Sequence, residues 1–132
     1  MPKQFINPPG LKPLGMYTTV TIAQGGSIAF ISGQVAVDGS GKPVGAGDIE
    51  AQAVQVFENL KCALGAIGAT FEDVIKFTIY IVGLTQERRK AVMDVRARYI
   101  SRENPPAATM VGIDQLVEPE LLVEVEAVVA ID

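Results

Sequence analysis

Short apolar stretches of two different periods alternate along this chain with segments rich in Gly and Pro. Tyr17 to Gln24 and Ser27 to Gln34 carry β-branched residues in partial alternation, which predicts two strands. Gly25-Gly26 between them suits a two-residue hairpin turn that tolerates positive φ. Residues 1–16 hold Pro2, Pro8, Pro9 and Pro13 and are expected to form an extended arm. After a Gly-rich loop, Asp48 is placed to cap a helix. Ala53, Phe57, Leu60, Leu64 and Ile67 then recur at helical spacing, and Gly65 and Gly68 are expected to close the helix. Cys62 falls beside that row and is expected to be packing.

From Asp73 to Val82 the period changes to two. Ile75, Phe77, Ile79 and Ile81 make one apolar face, and Lys76, Thr78 and Tyr80 the other. Thr85 can cap a second helix reaching about Ile100, with Val92, Val95 and Tyr99 as its buried row and most arginines on its wet side. Asn104-Pro105-Pro106 ends it, since a residue before Pro resists the α region. Ala107 to Ile113 and Leu121 to Ile131 complete the strands. The predicted order is β-β-α-β-α-β-β: an α+β fold in one domain spanning 1–132, with a mixed sheet and two helices on one face. The second sheet face, if apolar, needs another partner.

Composition narrows the chemistry. Among 132 residues there is no histidine and one cysteine, which excludes Ser-His-Asp and Cys-His catalysis, imidazole zinc sites and internal disulfides. A lone unpaired Cys fits a reducing compartment. Carboxylate, Lys, Tyr, backbone and water remain for acid–base work. The net charge of −4 and the lack of a basic stripe argue against nucleic acid as a partner. No apolar run approaches the roughly 18 residues of a membrane span, and the N-terminus lacks the apolar core of a signal peptide, so a soluble, cytoplasmic protein without metal or cofactor is expected. At 48 % apolar before Gly is counted, the chain is oilier than an ordinary small monomer, which hints at subunit contacts.

The last predicted strand is the odd feature. Period-two geometry puts Leu122, Glu124, Glu126 and Val128 on one face, so two acids interrupt an otherwise apolar strand. One explanation is an edge or solvated face blunted by charge. The other is a carboxylate held in a low-polarity cleft, its pKa raised toward neutrality, working as acid, base or water-positioner. Ser32-Gly33-Gln34 ends a strand where a Gly would let a ligand approach the backbone, or simply marks a bulge. Tyr17 is either a cleft aromatic or a lid on the core.

These residues also carry a family resemblance. Gly15-Met16-Tyr17, Ile31-Ser32-Gly33-Gln34, the helix segment from Gln52 through Phe57 to Asn59-Leu60, Val74 to Tyr80, Pro106-Ala107 and Val123 to Ala127 occur in one order. Together they resemble the RidA/YjgF reactive intermediate deaminase family, also called L-PSP endoribonucleases, over about residues 15–130. The resemblance implies a chorismate-mutase-like fold and a homotrimer around a central barrel, with clefts between subunits. It implies hydrolysis of enamines and imines to a carbonyl compound and ammonia. It places Glu124 as the water-handling catalytic residue, with Tyr17, Ser32, Gly33, Ala108, Thr109 and Met110 lining a small-molecule pocket. Where the family has Arg followed by Ser or Thr after Pro-Ala, this chain has Ala108-Thr109, and Met110 stands where Cys is frequent. Losing a bidentate carboxylate fork implies an altered, more apolar and less anionic substrate. The alternative is a trimer that binds a small molecule or partner without turnover.

Overall fold

The helix-period stretch after Asp48 forms α1 (Ile49–Ala66), with the Asp48 side chain accepting from the Ala51 N–H at 3.1 Å. Its buried stripe is Gln52, Ala53, Val56, Phe57, Leu60 and Leu64. In this computed structural model, which describes residues 2–132, Gly65 lies inside the helix and only Gly68, at φ +69°, turns the chain out of it. Two further expectations fail on this helix: Ile67 is its exposed C-cap, and Cys62 is exposed, because both lie outside the stripe that faces the sheet.

A second helix, α2 (Gln86–Arg96), starts at Thr85 as expected, the Thr85 hydroxyl accepting from the Arg88 N–H at 3.1 Å. It ends a turn earlier than its periodicity suggested. Residues 97–99 continue as turns, which lets Tyr99 stack on Phe57 with ring centroids 5.3 Å apart. Val92 and Val95 are buried, and so is Arg96, an exception among arginines that otherwise lie mostly on the wet side as expected.

The strands are β1 (Lys3–Ile6), β2 (Val20–Ala23), β3 (Ser27–Val35), β4 (Val74–Val82), β5 (Ala107–Ile113) and β6 (Val123–Ile131). Part of the N-terminal arm is thus a strand: β1 pairs antiparallel with β2 from Lys3–Ala23 to Ile6–Val20. The predicted hairpin does not form. Gly25 and Gly26 do take positive φ, 73° and 59°, but β2 pairs with β1 while β3 joins the main sheet. That sheet runs β3-β6-β4-β5, with β6 antiparallel to both its neighbours and β4 parallel to β5 across the α2 crossover.

Side chains of paired residues point to the same face. Val123, Val125, Ala127 and Val129 of β6 join Phe77, Ile79 and Ile81 of β4 in one core beneath both helices. Ile75 was expected in that row, but a register shift between Val74 and Lys76 buries Val74 instead. The opposite face carries Glu124, Glu126, Tyr80 and Lys76, together with Ile28, Val111 and Phe30, the last 79 % exposed. Neither α1 nor α2 covers it. Among the described residues, no helix is long and apolar enough to cross a membrane.

Candidate functional site

The two glutamates do not blunt an edge, since β6 lies between β3 and β4 in the sheet. Glu124 stands beside Tyr80 of β4, and Glu126 beside Thr78. The Tyr80 hydroxyl donates to Glu126 Oε1 at 2.6 Å, diagonally across the strands. This bond to a carboxylate, followed by burial, pushes the Tyr80 phenol up. Among the described residues, Glu124 has no such donor. Partial burial, and then the neighbouring Glu126 charge, push its carboxyl above the ordinary carboxylate range.

What lets Glu124 lie there is a bulge. Between Ile31 and Gln34, β3 uses three steps against two on β6, from Ala127 to Val125. The extra residue turns Gly33 toward Glu124. A Cβ on Gly33 would sit 2.0 Å from Glu124 Oε2 and 2.9 Å from Cγ, so the carboxylate occupies the space a side chain would fill. Ser32 is exposed next to it, its carbonyl accepting from Gln34 Nε2 at 3.1 Å. Ser32, Gly33 and Glu124 therefore form one cluster.

Tyr17, Ala108, Thr109 and Met110 form another. Ala108 and Met110 pair with Phe77 and Ile79, so they point to the helix side of the sheet, away from Glu124. They wall a pocket at the β5 edge, with Tyr17 across from them. The Tyr17 hydroxyl accepts from the Leu14 N–H at 3.0 Å, and the buried Thr18 hydroxyl donates to the Pro105 carbonyl, which fixes the arm against the start of β5. Thr109 accepts from Lys76 Nζ at 2.7 Å. Within one chain the pocket residues Ala108 and Met110 thus point away from Glu124, Ser32 and Gly33, while the Thr109 side chain, paired with Thr78, shares the face of the glutamates.

The structure adds two residues to the second group. Arg89 and Arg96, both on α2, line the same pocket. Arg96 is only 2 % exposed, and its Cζ lies 6.0 Å from the Phe77 ring centroid. Burial lowers its pKa to about 10. A signal for it existed: Val92, Val95, Arg96 and Tyr99 share the i, i+3, i+4, i+7 spacing of a single stripe. Among the described residues, no cluster of three or more His, Cys, Asp or Glu is placed to hold a metal ion.

A mixed sheet with both helices on one face and carboxylates amid the other defines an α+β protein built around an uncovered sheet surface. The profile of the family described as Endoribonuclease L-PSP matches residues 9–131. A RutC family protein of Pyrococcus horikoshii is 35 % identical over 117 residues, 89 % of this chain and 88 % of that protein. The crystal structure of YyfB from Yersinia pestis, described as a conserved Rid family protein of unknown function, superposes with a TM-score of 0.89. It is 33 % identical and covers 99 % of this chain and 100 % of its own. RidA from the Antarctic bacterium Psychrobacter sp. gives a TM-score of 0.70 at 29 % identity, over 91 % of this chain and 92 % of that one. The chain belongs to this L-PSP family, alongside proteins named Rid and RutC.

Proposed function

We propose that this protein hydrolyses a reactive imine, or an enamine through its imine tautomer, to a carbonyl compound and ammonia. The observation that carries the proposal is Glu124, a half-buried carboxyl group lying across a glycine bulge with its pKa raised by burial. A carboxyl group titrating nearer neutrality can serve both as acid and as base. In its acid form Glu124 protonates the imine nitrogen, which makes the carbon electrophilic. The resulting carboxylate takes a proton from the attacking water, giving a carbinolamine. Returning that proton to the nitrogen makes it a leaving group, and as ammonia departs the carboxylate takes the hydroxyl proton, which leaves the carbonyl and restores the acid form of Glu124.

Glu124 and the pocket at Ala108 lie on opposite faces of one sheet. The uncovered face, with Phe30 and Ile28 exposed, supports assembly with further copies, and a homotrimer suits the family membership. In that arrangement Glu124 of one subunit would complete the pocket walled by Tyr17, Ala108, Thr109 and Met110 of another, while Ser32 and Gly33 border the carboxylate. The absence of an arginine at position 108 favours a second function, a trimer that binds a ligand without turnover. Ammonia release from imines generated in situ separates the two. Glu124→Gln should abolish it while the assembly mass in solution stays unchanged. Full activity in that variant would remove Glu124 from the mechanism, and ligand binding without ammonia release would favour the binding function.

A further inference from the structure

Within one chain, the pocket between α2 and β5 is lined by two cations and no acid. Its volume is about 120 Å³, and its walls include Ile79, Met93, Ala108 and Met110. A cavity of roughly 150 Å³ accepts a six-carbon ring, so this one suits a ligand of about six heavy atoms. Arg96 is buried in its lining, and its hydrogen bonding is incomplete. Nη2 donates to the Met16 carbonyl, Nη1 meets only the Met93 sulfur at 3.7 Å, and Nε has no partner. The thioether is a weak acceptor. Arg89, one heptad earlier on the same helix, lies with Nη2 3.4 Å from where a Cβ on Gly15 would be. Among the described residues, neither arginine makes an ion pair.

A buried guanidinium without a counter-charge is a costly arrangement, retained when something pairs with it. The neighbouring ring face of Phe77 gives weak compensation. We infer that Arg96 and Arg89 together bind the anionic end of a small monocarboxylate, whose short apolar tail lies against Ala108, Met110 and Met93. This replaces the less anionic ligand that the loss of an arginine at position 108 implied. The charge enters from the helix side of the pocket instead. The inference extends the proposed hydrolysis by naming the end of the substrate that is held. It rests on that proposal only in treating the carboxylate as a substrate.

The test uses butyrate and its neutral isostere butyramide, titrated calorimetrically into the full-length protein at low salt. Butyrate should bind and butyramide should not, and added salt should weaken binding. Arg89→Gln, at an exposed position, should weaken butyrate about tenfold or more, as expected for losing a charged hydrogen-bond partner. Arg96→Gln should do the same where it folds. Side-chain NMR of the unmutated protein covers the case where it does not, because the Arg96 Nε–H resonance should shift on adding butyrate. A purely structural Arg96 would leave that resonance unmoved. Equal binding of acid and amide, no binding of butyrate, unchanged affinity in Arg89→Gln or a static Arg96 resonance would each overturn the inference. Butyrate binding without ammonia release from any imine would sink the hydrolysis and leave the anion pocket standing.

Discussion

Gly33→Ala isolates the contact on which the proposed chemistry depends. The new Cβ would lie 2.0 Å from Glu124 Oε2, 2.6 Å from Cδ and 2.9 Å from Cγ. Carbon contacts settle near 3.5–4.0 Å, so the carboxyl group must move by about 1.5 Å. Gly33 is not among the glycines with positive φ, so its backbone accepts alanine without strain. Moving Glu124 off its rotamer costs about 0.5–1.5 kcal/mol. Alanine returns about 0.4–1 kcal/mol by restricting the unfolded chain. The two nearly cancel, and the melting temperature should change by no more than a few degrees. Activity should fall much further, since a misplacement of about 1 Å can cost on the order of 100-fold. Thermal melts run beside kcat/KM for ammonia release give both quantities. If the alanine acts through Glu124, adding it to Glu124→Gln should change little. Undiminished kcat/KM in the single variant would refute the reasoning, as would a collapse in stability that points to the backbone.

Gln52→Leu should destabilise the fold by about 3 kcal/mol, read as a shifted urea midpoint, because it orphans buried backbone groups. Gln52 Nε2 donates to Glu120 O at 2.8 Å and to Gly45 O at 3.2 Å, while its Oε1 accepts from the Leu122 N–H at 2.8 Å. Glu124→Gln should also change how stability depends on pH. The native carboxyl titrates above its ordinary value of 4.5, so the folded state binds the proton more tightly than the unfolded state does. Its ionisation therefore costs stability as pH rises from about 4.5 through the raised value. The Gln variant should melt higher than the unmutated protein at pH 8 and equally near pH 4; a constant offset would contradict the burial of Glu124. Phe30→Glu puts a charge on the uncovered face and should reduce the mass measured by light scattering to that of one chain, whereas an unchanged oligomer would place the contacts elsewhere.

Periodicity carried most of the fold because both of its periods are enforced by one core. The helix stripe from Ala53 to Leu64 and the alternation from Phe77 to Ile81 meet in the same apolar layer. What escaped depends on partners remote in sequence. Lys3 to Ile6 has no signal of its own beyond the pairing that β2 supplies. A double glycine reports that a turn is possible and says nothing about which strands it joins. Likewise Gln52 and Asn59, two polar residues in the helix segment that carries the family resemblance, serve as scaffold. Asn59 Nδ2 donates to the carbonyls of Val35 and Val37, both at 3.0 Å, and so ties α1 to the end of the strand that contains the bulge.

The site was legible in part for a related reason. Two acids within an apolar strand stand out at period two wherever the strand lies, and only the topology decides between an edge and the centre. Gly33 was marked, but the bulge that turns it toward Glu124 depends on the register with β6. Arg96 was hidden by its own charge. A run of arginines on a helix is normally the solvated side, and Arg88, Arg89 and Lys90 encourage that assignment. Yet Arg96 sits in the apolar stripe with Val92 and Val95, and a long side chain can bury its stem beneath a core. A charge in an apolar stripe of α2 and a charge in an apolar strand of β6 are the same kind of anomaly. Each places an ionisable group where packing alone would have selected Leu or Val, and each borders one of the two half-sites that the sheet separates. Glu124 lies within the segments that carry the family resemblance, and Arg96 lines the pocket that also holds Tyr17 of that resemblance.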